Sequence, residues 1–76
     1  MRILLGGHLN FYHPKKEKWL EVHLGKPVPL VELLDNLGIP LGEVHLVILN
    51  GEMIDLHEAS VSDHDRVKLY SAVGGG

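Results

Sequence analysis

The residues with the most evident chemistry lie at the end of the chain, in the run Ser71-Ala72-Val73-Gly74-Gly75-Gly76. Successive glycines offer only backbone: a thin segment that accepts varied angles and ends here in an α-carboxylate. That group titrates near ~3.5, so at neutral pH it is ionised and a poor electrophile. To react at its carbonyl carbon it must first be activated. Fully extended, Ala72 to Gly76 reaches up to ~17 Å at ~3.4 Å per residue. That is enough to carry Gly76 into a partner's buried site. Val73, Gly74 and Gly75 are the residues that thread the way in, since missing β-carbons suit a narrow channel. The chain has no cysteine, so no internal thiol competes for an activated acyl group. A glycine end alone also fits a frayed terminus; what precedes it decides.

Other reactive side chains are scattered. The six histidines, His8, His13, His23, His45, His57 and His64, form no i, i+4 pair on a predicted helix and have no cysteine beside them. That spacing points to surface residues and to no metal site. Ser60 and Ser62 have no convincing histidine and acid partners in sequence. Gly6-Gly7 and Gly25 read as turn residues, with no phosphate-binding motif around them.

A mobile reactive end needs a rigid body behind it. Met1 to Leu5 reads as a strand broken by Gly6-Gly7, and residues 8 to 16 as a connection containing Pro14. Lys18 to Leu24 alternates, with Leu20, Val22 and Leu24 on one side and Trp19, Glu21 and His23 on the other. Pro29 opens a helix in its first turn. Leu30, Leu33, Leu34 and Leu37 form one apolar stripe, and Val28 supplies no side-chain cap. Gly38 and Pro40 stop the helix. Val44 to Leu49 is a strand, Asn50-Gly51 a hairpin turn, and Glu52 to Leu56 the returning arm. Residues 57 to 65 read as a polar loop. Arg66 to Val73 is a final strand, with Val67 and Leu69 on one side and Lys68 and Tyr70 on the other.

This order predicts an α+β domain over residues 1–71: a mixed sheet of four to five strands wrapped around one helix, the β-grasp arrangement. The first and last strands are central and parallel. Residues 72–76 form a flexible glycine tail. On the sheet face away from the helix the alternation places Leu4, Trp19, His23, Lys68 and Tyr70, a candidate docking surface.

Seventy-six residues with 45% hydrophobic and 22% charged side chains make one globular domain. The formal net charge is −3, and Lys15-Lys16-Glu17-Lys18 is the one basic cluster, short and interrupted. Nucleic acid is therefore not an expected partner. A mildly acidic surface suits a partner with a basic docking face. No stretch approaches the ~20 apolar residues of a membrane span. The start lacks the features of a signal peptide. The absence of cysteine fits a reducing cytoplasm, which is the expected location.

The second half, ELLDNLGIP (Glu32 to Pro40), EVHLVILNGEMI (Glu43 to Ile54) and SDHDRVKLYSAVGGG (Ser62 to Gly76), resembles the MoaD/ThiS family of ubiquitin-like sulfur-carrier proteins. The resemblance covers Pro29 to Gly76, and the first half matches in strand pattern. The long first connection is similar to the MoaD-like branch. Asp63-His64-Asp65 stands where the family often has Asp-Gly-Asp, so either His64 takes a left-handed backbone or the turn differs. Leu69-Tyr70-Ser71 stands where molybdopterin carriers often show Phe-Pro-Pro.

The resemblance implies a carrier, not an enzyme. An activating enzyme adenylates the Gly76 carboxylate with ATP, a sulfur donor displaces AMP, and the resulting thiocarboxylate is delivered to a biosynthetic enzyme. The carrier binds no cofactor or metal of its own and is monomeric when free. Molybdopterin or tungstopterin cofactor assembly is the favoured pathway, with thiazole (thiamine) synthesis and tRNA thiolation next. A ubiquitin-like protein modifier joined to lysines through Gly76, and a binding module with an inert tail, are the rival classes.

Overall fold

The computed structural model describes residues 1–72. Strands β1 (Arg2–Leu5), β2 (Trp19–Glu21), β4 (Val44–Leu49), β5 (Glu52–Ile54) and β7 (Arg66–Ser71) form one sheet in the order β2-β1-β7-β4-β5. A ribbon of β3 (Val28–Pro29) and β6 (Ser60–Val61) stands apart, and one helix, α1 (Leu30–Leu37), packs on the sheet. This is the expected β-grasp fold. β1 and β7 are parallel neighbours, while β1–β2, β4–β5 and β4–β7 are antiparallel.

The alternation of β1 and β7 sends Ile3, Leu5, Val67 and Leu69 to the helix side, where all four are fully buried. Leu30, Leu33 and Leu34 meet them from α1, and Leu37 closes the stripe half-buried. Gly38 ends the helix at φ 79°, with its N–H on Asp35 O and the Ile39 N–H on Leu34 O at 2.9 Å. These two bonds cover carbonyls the helix cannot satisfy itself and turn Ile39 into the core. A Cβ at Gly38 would meet nothing closer than 3.9 Å, so only backbone strain opposes one. Gly38→Ala is expected to cost about 1 kcal/mol, read as a fall in the urea midpoint with unchanged slope.

Several boundaries differ from the sequence expectation. The second strand spans Trp19–Glu21 and stops well short of Leu24. The Val22 N–H still finds Met1 O at 2.9 Å, and the Val22 carbonyl accepts from the Met1 amine at 2.8 Å. The Leu24 N–H goes instead to the Asp63 carboxylate at 2.9 Å. Pro29 is the N-cap residue outside the helix, in extended conformation. The Leu30 N–H is accepted by Ala59 O at 2.9 Å, so a neighbouring loop does the work of a cap side chain. That loop lies in the stretch read as polar and irregular. It contains β6 and buries Ala59 and Val61, single apolar residues in a ribbon too short to show a period. The first connection contains a 3-10 turn (Leu9–Tyr12) with Leu9 fully buried. The hairpin's returning arm is three residues long, ending at Ile54. β7 ends at Ser71, and Val73 lies outside the described residues.

Asn50 and Gly51 both take positive φ, 50° and 87°, as the hairpin signal requires. His64 does not: among the described residues only Lys16 and Asn50 are non-glycines with positive φ. The turn before β7 is closed by Asp65. Its N–H reaches Ser62 O at 3.1 Å and its carboxylate accepts the Ser62 N–H at 2.7 Å. A side-chain acceptor thus holds a turn without left-handed glycine.

Candidate functional site

The site is the place where the chain leaves the sheet. β7 is the central strand, held by β1 on one side and β4 on the other. Its exit is fastened three ways. The Gly6 N–H donates to Leu69 O at 2.7 Å, Ser71 pairs with Val44, and the Ser71 hydroxyl accepts the His8 N–H at 3.1 Å. Gly6 has a second task. A Cβ there would lie 2.7 Å from Leu69 O and 2.7–2.8 Å from the Tyr70 ring. The ring is seated where a side chain would otherwise stand. Sequence reading took Gly6 for a turn residue; the need is space beside the last strand. Ala72 is exposed just beyond. Val73, Gly74, Gly75 and Gly76, the threading and attachment residues, lie outside the described residues.

Strand register builds the outer sheet face. One row crosses all five strands: Trp19, Leu4, Lys68, Ile48 and Met53. A second holds Glu21, Arg2 and Arg66, and Tyr70 pairs with Leu46 at the exit end. Four of the five residues expected on this face, Leu4, Trp19, Lys68 and Tyr70, therefore share it. His23 lies two residues past the end of β2, exposed. That is the end of the sheet opposite Ser71. Ile48 and Leu46 were missed because the β4 run is apolar at nearly every position, so alternation could not sort its faces, and Met53 because the three residues of β5 are too few to show a period. Met53 is 76% and Trp19 40% exposed, while Leu4, Lys68 and Tyr70 are half-buried. The Arg2 guanidinium lies over the Trp19 ring, 4.7 Å from its centroid. A shallow groove runs among Ile48, Arg66, Lys68 and Tyr70.

Arg2, Arg66 and Lys68 stand on the outer face, with Glu21 in the row of Arg2 and Arg66. Beside the exit, the first connection also exposes Phe11 and Tyr12, packed edge to face at 5.6 Å, with the Lys16 ammonium 4.3 Å over the Phe11 ring.

Far from the exit, two aspartates are tuned by hydrogen bonds. The Leu24 N–H holds the Asp63 carboxyl below its ordinary range. Asp65 is likewise lowered, first by the Asn50 amide at 2.9 Å and then by Ser62, against a partial burial that raises it. A carboxylate with a lowered folded pKa contributes fully above the ordinary value of about 3.9 and loses that contribution as pH falls through the lowered one. The melting temperature should therefore drop on acidification below about pH 4. Asp65→Asn should melt lower at neutral pH and show a shallower acid slope, both read by calorimetry.

Among the described residues no group of three His, Cys, Asp or Glu side chains is placed to hold a metal ion. No helix among them is long and apolar enough to cross a membrane. Residues 11–76 match the ThiS family. The chain belongs to the ThiS family. The match begins well before Pro29, where the sequence resemblance starts, and takes in the first connection from Phe11. Searches of curated proteins and of solved structures gave no match. As a ThiS-family member the protein is a small sulfur carrier with a ubiquitin-like fold, working with activating and sulfur-transfer enzymes. The MoaD-like and other branches are not distinguished by the match.

Proposed function

We propose that Gly76 is the point of activation and sulfur loading. A carboxylate oxygen of Gly76 attacks the α-phosphate of ATP on the activating enzyme, expelling pyrophosphate and leaving an acyl adenylate. Sulfide released by the donor then attacks the acyl carbon, expels AMP and gives up its proton, leaving the thiocarboxylate. The observation that carries this reading is the ThiS-family match running through the glycine end, residues 11–76. The central position of β7 supports it, because a strand clamped on both edges gives the tail a fixed root. Ala72 to Gly76 spans at most ~17 Å from there. The carrier supplies no base; the adenylating partner supplies ATP and catalysis.

The outer face of Leu4, Trp19, Lys68 and Tyr70, extended by Ile48 and Met53, is the proposed docking surface. It mixes aromatic, aliphatic and cationic side chains in the manner of interface hot spots. The acceptor pathway we favour is molybdopterin or tungstopterin assembly, on the strength of the long connection between Leu5 and Trp19.

The test is intact mass after incubation with the adenylating enzyme, ATP and a sulfur donor. An oxygen-to-sulfur gain, followed by transfer to a molybdopterin-forming enzyme, is the expected result. Transfer only to a thiazole-forming enzyme or a tRNA thiolase moves the pathway. Isopeptide adducts on other proteins without sulfur gain would replace the carrier reading with that of a modifier.

A further inference from the structure

The Asn50-Gly51 tip has a chemistry of its own. Asparagine is a labile residue, and it loses its side-chain amide most readily before glycine. There the attacking backbone nitrogen belongs to a residue with no side chain to obstruct it. The chain has three asparagines, and only Asn50 precedes a glycine; Asn10 and Asn36 precede Phe11 and Leu37. We propose that Asn50 is a latent deamidation site, held closed by Asp65 and Arg66 and released when the hairpin tip opens locally.

The step is an internal acyl substitution. The Gly51 nitrogen gives its proton to hydroxide and bonds to Asn50 Cγ. The Cγ–Nδ2 bond breaks, and Nδ2 takes a proton from water and leaves as ammonia. A succinimide ring remains. Water adds to one of its two carbonyls and reopens it. Opening at Cγ leaves aspartate in place of Asn50. Opening at the backbone carbonyl leaves isoaspartate, with the main chain routed through the former side chain. Solvent reaches the tip freely: Asn50 and Gly51 are both exposed, and a Cβ on Gly51 would meet nothing within 4 Å. The restraint lies in the amide itself. Asn50 Oδ1 accepts the Arg66 N–H at 2.9 Å, and Nδ2 donates to Asp65 Oδ1 at 2.9 Å. The Asn50 N–H adds a bond to Arg66 O at 2.8 Å. Both polar atoms on Cγ are thus tied to the start of β7. To reach the Gly51 nitrogen, Cγ must swing away and give up both side-chain bonds, one of them to a carboxylate.

Reclosing the tip does not restore it after conversion. Aspartate sets a second carboxylate where Nδ2 met that of Asp65, like charge against like. Isoaspartate adds a backbone carbon to a two-residue turn whose φ values, 50° and 87°, match the register of β4 with β5. Either product loses the Asp65 contact and loosens the tip beside Arg66, where β7 begins.

The experiment incubates the full chain at mildly alkaline pH and reads the amide-to-acid mass gain by peptide mapping. Isoaspartate is counted by an isoaspartyl methyltransferase with labelled S-adenosylmethionine. In concentrated urea Asn50 should convert at least about tenfold faster than in the folded chain, with Asn10 and Asn36 lagging in both. Asp65→Ala should speed conversion of the folded chain about tenfold, through loss of one charge-assisted bond. Asp65→Asn, which keeps a neutral acceptor, should fall between it and wild type. Gly38→Ala lowers global stability without touching the tip, so its rate should stay within about twofold of wild type. The converted protein and Asn50→Asp should both melt below wild type at neutral pH. Equal rates in folded and unfolded chains overturn the proposal, as does conversion first at Asn10 or Asn36, or at no asparagine. So does an Asp65→Ala rate like wild type, which would leave the amide without its assigned restraint. A Gly38→Ala rate raised as much as that of Asp65→Ala overturns it too, since global unfolding and not the tip would then expose the amide.

Discussion

Deleting Gly75 and Gly76 is expected to abolish sulfur loading while leaving the melting temperature within about 2–4 °C of wild type. Both halves follow from where the body ends. Among the described residues the core and the strand pairings stop at or before Ser71, so the deletion removes none of them. Sulfur loading has everything to lose. The shortened chain still ends in a carboxylate, now on Gly74, but its reach falls by about 7 Å at ~3.4 Å per residue. A misplacement of even ~1 Å can cost ~100-fold in a positioned reaction. The two missing residues place the acyl carbon well outside attack distance of ATP bound in a partner. Intact mass under saturating enzyme and ATP reads the outcome. A truncated chain that gains sulfur at the wild-type rate would show that the tail's length has no part in the reaction.

The second large effect lies in the body. Gly6→Ala forces a methyl to within 2.7 Å of Leu69 O and of the Tyr70 ring. The oxygen is backbone, is bonded to the Gly6 N–H, and belongs to a strand held on both edges. It cannot move without spoiling the β1–β7 ladder. A cost of about 2 kcal/mol is expected for such overpacking, a fall of roughly 8–16 °C in a domain of this size. The Tyr70 ring is the part that can yield. In a Tyr70→Ala background, Gly6→Ala should cost measurably less, because one of its two clashes is gone. Equal costs in both backgrounds would show that the ring does not depend on Gly6. The surviving part of the clash shifts the exit of β7, so Gly6→Ala should also slow sulfur loading below its melting temperature. That readout separates a displaced tail root from simple instability.

Much of this was legible along the chain because local periods carry it. The leucine spacing from Leu30 to Leu37, the stop at Gly38, the Asn50-Gly51 turn and the alternation of Val67 and Leu69 each follow from neighbouring residues alone. Their order pointed to a sheet wrapped on one helix. The candidate tail was equally visible, since glycine's lack of a side chain is a property of sequence. Less visible were Pro29 as a cap position and the β3–β6 ribbon. There, partners thirty residues apart supply what local chemistry lacks, as Ala59 O does for the Leu30 N–H.

By itself, the sequence determined the fold class, the helix with its glycine stop and the glycine run that follows Val73. These rest on interactions within a few residues or on composition. Only the tertiary structure decided which side chains share a face. It aligned Trp19, Leu4, Lys68, Ile48 and Met53 across five strands, left His23 at the other end, and set Gly6 under Tyr70. Register between strands distant in sequence governs all of these. Register is settled by the packing of the whole sheet on its helix.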